Sequence, residues 1–215
     1  MFKDRKDAGQ KLRDKLLNFK GVSNTVVVGL PRGGVPVAFE IANDLSLPLD
    51  IVVPRKIGAP FNKEYAIGAI AEDGKAYFDR EAIEHLGVST KYLESEMEKQ
   101  RAESKRRLRV YRGERPPVDF KDKTILLVDD GIATGSTVKA AIESLKVHHP
   151  KEIIVAVPVG PQDTISELKE SINQVICLAT PHPFNAVGCF YSFFDQTDDD
   201  TVIEMMKHKP LTPSQ

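Results

Sequence analysis

The sequence predicts an α/β protein: a doubly wound parallel sheet with an inserted hairpin and helix and a C-terminal aromatic cap. Three observations carry that expectation. Five short runs rich in Val, Ile and Leu, at 25–29, 49–53, 124–129, 153–157 and 174–178, have the texture of strands buried on both faces. Amphipathic helical stretches separate most of them at βαβ spacing, which makes the strands parallel. The segment 54–117 breaks this rhythm with loop punctuation, a hairpin signature and a long charged stretch.

The elements follow in order. Residues 4–19 place Leu12, Leu16 and Phe19 on one stripe among charges, predicting an amphipathic helix within 1–22. Thr25–Gly29 is the first strand. After a Pro/Gly-rich turn, Val37, Ile41 and Leu45 recur on one helical face, and Leu49–Val53 is the second strand. Arg55–Lys63 has several cations and reads as a loop. Residues 66–71 and 75–78 flank Glu72-Asp73-Gly74, a hairpin signature. Ser89–Tyr111 is acidic at its start and basic at its end, a polarity that suits the helix dipole. Arg115-Pro116-Pro117 ends it.

The α/β rhythm then returns. Thr124–Asp129 is a strand, and Val138, Ile142 and Leu145 mark a helix. Residues 153–157, 163–171 and 174–178 follow as strand, helix and strand. Phe190, Tyr191, Phe193 and Phe194 form an aromatic cluster, a short helix spans 198–208, and the tail to Gln215 frays. We expect one domain over 1–215: an N-terminal helix in 1–22, a flexible loop, hairpin and charged helix in 54–117, and an aromatic hood and tail in 180–215.

Lys and Arg number 30 against 31 Asp and Glu, a net charge of −1, which argues against a whole-protein electrostatic footprint for nucleic acid. Cys177 and Cys189 are too few for a disulfide framework or thiolate metal site. No apolar run approaches the ~20 residues that span a bilayer, and the charged start, Met1 to Asp7, has no signal-peptide core. The expectation is a cytoplasmic protein without membrane or nucleic-acid partners. The basic run 105–109 has two readings, a face for nucleic acid or a solvated helix face.

Two loops follow buried strands, where open parallel sheets bind ligands. In the first, Gly29 to Pro36, paired glycines permit close backbone approach, and Arg32 offers a fork suited to phosphate. The second is more specific. Val128-Asp129-Asp130-Gly131-Ile132-Ala133-Thr134-Gly135-Ser136-Thr137 joins two carboxylates at a strand end to a small-residue turn opening a helix. The carboxylates, acceptor-only when ionised, suit vicinal hydroxyls. Hydroxyls and amides at a helix N-terminus suit a phosphate. A nucleotide P-loop is excluded, because no Lys follows Gly135. The competing reading is a capped helix with the two aspartates in a structural ion pair.

The second loop resembles the phosphoribosyl-pyrophosphate (PRPP) motif of the type I phosphoribosyltransferases. The first is similar to that family's pyrophosphate loop, and Arg55-Lys56-Ile57-Gly58-Ala59-Pro60 to the opening of its flexible catalytic loop. The likeness runs in order from Thr25 to about Leu178 and is nearest a group of stand-alone bacterial and archaeal members. It implies a type I phosphoribosyltransferase fold and a homodimer. It implies that Asp129 and Asp130 hold the ribose hydroxyls, and that Ala133, Thr134, Gly135, Ser136 and Thr137 wrap the 5′-phosphate. Leu30, Pro31, Arg32 and Gly33 would contact pyrophosphate, in this family often through a non-proline cis peptide. Mg²⁺ would be held mainly by PRPP and water, with Asp129 as a candidate ligand. Arg55 and Lys56, with Lys63, would close over the leaving group.

The implied reaction is Mg²⁺-dependent transfer of phosphoribose from PRPP to a nitrogen acceptor, a nucleobase first among the candidates, with release of pyrophosphate. Ala133 stands where hypoxanthine/guanine members carry an aspartate, which leans the pattern towards adenine-like or other acceptors. Glu64 and Glu72 are candidates for a carboxylate from the mobile segment. Phe184, Asn185, Val187 and Tyr191 are candidates for the acceptor hood, with a satellite hydrophobic cluster as the other reading. The rival function is a non-catalytic PRPP-sensing regulator that binds RNA, DNA or a protein.

Overall fold

The computed structural model describes residues 1–63, 65–70 and 76–207. Glu64, the Glu72-Asp73-Gly74 turn and the tail beyond Lys207 lie outside the described residues. Five parallel strands form the main sheet: β1 (Thr25–Gly29), β2 (Leu49–Ile51), β6 (Thr124–Val128), β7 (Glu152–Val159) and β8 (Gln174–Ala179), in the spatial order β2-β1-β6-β7-β8. All four pairings are parallel, as the sequence predicts.

Strand residues alternate between two apolar layers, because successive side chains point to opposite faces. Val27, Leu126, Val128, Ile154 and Ala156 pack towards α1 (Arg5–Arg13), α2 (Gly34–Leu45), α4 (Thr90–Arg112) and α7 (Asp199–Lys207). Val26, Val28, Ile125, Leu127 and Val155 pack towards α5 (Ser136–Lys146) and α6 (Gln162–Ser171). Each fully buried aliphatic side chain contributes about 1.5–3 kcal/mol, so these layers hold the loops at the strand ends in place.

The N-terminal helix is shorter than its apolar stripe predicts. Asp4 caps it by accepting from the Asp7 amide at 2.8 Å, but it ends at Arg13 rather than Phe19. Lys15 and Leu16 donate to the carbonyls of Leu12 and Arg13, i→i+3 bonds that tighten the chain. Leu16 is fully buried all the same; the stripe is real while the helix is not continuous.

The insertion holds more regular structure than its sequence suggests. Arg55–Gly58 is not a loop but strand β3, paired antiparallel with β4 (Ala66–Ile70), which pairs with β5 (Ala76–Phe78). Ile57, Ile67 and Ile70 are fully buried and make a small separate core with Tyr92, Leu93 and Met97 of α4. A short helix, α3 (Arg80–His85), precedes α4. The far end of α4 is tied to the main sheet by a buried ion pair. Arg112 Nε lies 3.0 Å from Asp50 Oδ1, and Asp50 also accepts from the amides of Ile51 and Val118.

Candidate active site

The β1–β6 register assembles the site. Gly29 stands opposite Val128, so both strands end level, and Leu30 N–H donates to the Val128 carbonyl at 2.9 Å. The chain leaves these neighbours in opposite senses, towards β2 and towards β7, which is the switch point where α/β sheets open a crevice. The loop after β1 and the loop after β6 therefore meet. A Cβ at Gly33 would lie 2.0 Å from Asp130 Oδ2, and one at Gly34 would lie 2.8 Å from both Asp129 Cα and the Val128 carbonyl oxygen. Only hydrogen fits at either contact. The Pro31–Arg32 peptide is cis, the non-proline cis bond expected from the resemblance.

Asp129 and Asp130 are held by their surroundings. Asp129 Oδ1 accepts from the Asp130 amide at 2.9 Å, and Tyr191 Oη donates to the Asp130 carbonyl at 2.6 Å. Arg5, on the first turn of α1, places Nε 2.8 Å from Asp130 Oδ2. Burial, together with the neighbouring Asp130 charge, pushes the Asp129 carboxyl well above the usual carboxylate range. Burial raises Asp130 too, against the pull of Arg5.

Beyond the pair, Ala133, Thr134, Ser136 and Thr137 are exposed. Gly135 turns the chain at φ +75°, a left-handed geometry that favours glycine, and α5 begins at the next residue. The first amides of α5 lack intrahelical partners and the dipole favours an anion there. Thr134 and Ser136 hydroxyls lie 3.1 Å apart at the same helix end.

Two cavities flank this centre. One, of about 490 Å³, is lined by Arg55, Lys56, Lys63, Glu96, Gln100, Ser136 and Thr137 among others. Arg55 and Lys56 thus share a wall with the helix end expected to hold the 5′-phosphate, on a strand rather than on a mobile loop. Arg55 Nε donates to Gln100 at 2.8 Å, and Lys63 Nζ to Tyr92 Oη at 2.5 Å. The second cavity, of about 260 Å³, is lined by Pro31 and Arg32 with Arg106, Arg107, Val110, Tyr111 and Asp199. Arg106 and Arg107 both bond Glu103, whose carboxyl they hold down at about 2.

Leu30 is buried beneath the first loop, whereas Pro31, Arg32 and Gly33 are half-buried. Of the hood candidates, Val187 closes over the second loop: a Cβ at Gly131 would meet its Cγ1 at 2.5 Å. Phe184 stacks on Phe190 with centroids 5.1 Å apart, and Asn185 is exposed. Tyr191 is buried, with Phe2 and Phe194 against its ring at 5.4 and 4.9 Å. It has a structural setting and little free face for stacking a base. Arg5, Arg106, Arg107 and Tyr111 join the site without having been read from the sequence as part of it. The 105–109 run was visible there, but not the face that Arg106 and Arg107 turn towards Arg32.

Among the described residues no group of three or more His, Cys, Asp or Glu could hold a metal ion by itself. No helix among them is long and apolar enough to cross a membrane.

Comparison with known proteins agrees with this fold. The chain is 41% identical over 206 residues to "Putative phosphoribosyl transferase Rv0571c" of Mycobacterium tuberculosis, covering 96% of this chain and 46% of that protein. It therefore spans about half the length of that relative (46%). It is 30% identical over 141 residues to "Bifunctional protein PyrR" of Bacillus mycoides, covering 65% of this chain and 60% of that protein. The crystal structure of TT1426 from Thermus thermophilus matches with a TM-score of 0.88 and 38% identity, over 95% of this chain and 97% of that one. A family model, the phosphoribosyl transferase domain, matches residues 3–191. That span takes in the loops after β1 and β6, the acidic pair and Tyr191 bonded to its backbone, and the chain belongs to the phosphoribosyl transferase family.

Proposed function

We propose that this chain is a PRPP-dependent transferase that passes phosphoribose to a nitrogen acceptor, a nucleobase first among them, and releases pyrophosphate. One observation carries the reading. The Gly33-Gly34 turn bears directly on the acidic pair, and the helix end after Gly135 follows that pair in the same loop, so groups suited to the pyrophosphate, diol and 5′-phosphate of a single ligand gather at the ends of two neighbouring strands.

Each group has a physical role in that reading. Asp129 and Asp130 accept from the ribose hydroxyls and fix the sugar. The amides and hydroxyls from Thr134 to Thr137 bind the 5′-phosphate, with Arg55 and Lys56 across the cavity. Displacement at C1 builds positive charge on the sugar and negative charge on the departing oxygens, so the backbone and guanidinium of the Pro31–Gly33 loop stabilise the leaving group. The residues fit Mg²⁺ in one way: two carboxylates stand at the crevice without a protein cage among the described residues, so PRPP and water would supply most ligands, with Asp129 a candidate. Bound there, the ion would neutralise charge on the pyrophosphate. In this reading Val187, Phe184 and Asn185 stay the hood candidates for an acceptor, although Phe184 and Val187 also pack into the small aromatic cluster around Tyr191, and Ala133 disfavours an acceptor that needs a carboxylate at that position.

The rival, a non-catalytic PRPP sensor, draws on the basic end of α4 and on a relative whose name calls it bifunctional. Against it, Arg106 and Arg107 are paired with Glu103 and line the cavity beside the pyrophosphate loop.

The test is incubation with PRPP, Mg²⁺ and a pool of nucleobases and small amines, followed by mass analysis for phosphoribosyl products. Asp129→Asn/Asp130→Asn serves as control. A product formed only by the wild type supports the transferase. Saturable PRPP binding without product, together with salt-dependent RNA or DNA binding, supports the sensor. Absence of PRPP binding removes both.

A further inference from the structure

The acidic pair has a partner that no ligand loop supplies. Arg5 reaches across 125 positions of sequence to place Nε 2.8 Å from Asp130 Oδ2, with side-chain exposures of 13% and 15%. It is held on two further sides. Nη1 donates to the Asp195 carbonyl at 2.7 Å, and the guanidinium carbon lies 3.9 Å above the Phe194 ring. The segment before it is stitched to the hood: Phe2 N–H donates to the Phe190 carbonyl, Ser192 N–H to Phe2, and Phe193 N–H to Lys3. The register of Arg5 is therefore fixed by the same segment whose Tyr191 bonds the Asp130 carbonyl.

We propose that Arg5 is a positioning residue for the ribose diol, acting through Asp130. This rests on the diol-binding reading of the acidic pair. Two adjacent carboxylates in a partly buried crevice repel each other, and an ungoverned Asp130 side chain would rotate away from Asp129 or into solvent. Arg5 holds Oδ2 through a charge-assisted bond, offsets one of the two charges, and leaves Oδ1 to accept from a ribose hydroxyl. Gly33 bears on the same carboxylate from the opposite loop, where a Cβ would contact Oδ2 at 2.0 Å. Asp130 is thus fixed from two directions before any sugar arrives. Such pre-organisation lets a diol be bound without ordering the group that binds it.

The experiment measures the affinity of the full chain for ribose 5-phosphate and for ethyl phosphate, which has the phosphate without the diol. Wild type, Arg5→Gln and Arg5→Lys are titrated by calorimetry, each with a melting curve. The wild type should favour ribose 5-phosphate. Arg5→Gln should cut that preference about tenfold or more, the size of a lost hydrogen bond to a charged group, and leave ethyl phosphate within about twofold. Arg5→Lys keeps the charge without the fork and should restore part of the preference. An undiminished preference in Arg5→Gln overturns the proposal, and so does equal weakening of both ligands, which marks general damage. Should Arg5→Gln fail to fold, an Arg5→Lys preference equal to the wild type's overturns it, and a reduced one with unchanged ethyl phosphate affinity supports it. A wild type without preference overturns the diol reading itself.

Discussion

Gly33→Ala isolates the contact between the two ligand loops. Gly33 has φ −60° and ψ −32°, a conformation open to alanine, so the backbone carries no penalty. The added methyl would nevertheless lie 2.0 Å from Asp130 Oδ2 and 2.7 Å from its Cγ. To regain ordinary contact the carboxylate oxygen has to retreat by roughly 1.4 Å. Arg5 Nε is only 2.8 Å from that oxygen, so the retreat breaks or distorts the ion pair. A lost hydrogen bond to a charged group costs about 1.5–3 kcal/mol, or about 10- to 150-fold in an affinity that depends on it. Overpacking takes about 1–3 kcal/mol from global stability. Calorimetric titration with ribose 5-phosphate and urea unfolding measure the two effects. Gly21→Ala, whose new Cβ meets no atom but whose φ of +66° strains the backbone, controls for a chain destabilised without moving the acidic pair. Ribose 5-phosphate affinity in Gly33→Ala within twofold of wild type would refute the reasoning, because the methyl would then have been absorbed without moving the acidic pair.

Three other outcomes follow from the geometry. Burial and the neighbouring Asp130 charge raise the Asp129 carboxyl, so its ionisation opposes folding at neutral pH; Asp129→Asn, which leaves the Arg5–Asp130 pair intact, should melt above wild type in differential scanning calorimetry while losing ribose 5-phosphate affinity. Glu103 is held near 2 by Arg106 and Arg107, a lowered acid whose pairing is present above the ordinary 4.5 and lost as pH falls through 2; a carboxyl NMR titration should find its midpoint far below that of free glutamate. Arg112→Ala strands Asp50, 1% exposed, without its guanidinium, and should cost about 3–5 kcal/mol in urea unfolding, more than a surface ion pair of the same length.

The parallel sheet was legible because strands buried on both faces are written as unbroken apolar runs, and 124–128 or 153–157 could be little else. The loop after β6 was legible because its chemistry is contiguous. What escaped depends on distance in sequence. Arg55–Gly58 has too few residues for a period of two to show, and it becomes a strand through pairing with 66–70 and the small core of Ile57, Ile67 and Ile70. Arg5 lies on a helix face that gives no hint of a partner 125 residues away. The aromatic run 190–194 was readable as apolar, but whether Tyr191 met a ligand or a carbonyl depended on Phe2 and Phe194 closing on its ring. Arg106 and Arg107 were visible as charge; their position beside Arg32 required α4 to be anchored by Arg112 on Asp50.

The level ending of β1 and β6 makes the crevice a check on how the sheet has been threaded. A slip of one residue between these strands would turn Val26 and Val28 towards the wrong layer, and would also move the Gly33-Gly34 slot off the two aspartates. If the crevice binds a sugar phosphate as proposed, the hydrophobic core and the ligand would select the same alignment, and a mispaired chain would fail both together. A sugar phosphate added during refolding should accordingly enrich the correctly threaded sheet, stabilising it by RT ln(1 + [L]/Kd) and leaving its misaligned competitors untouched.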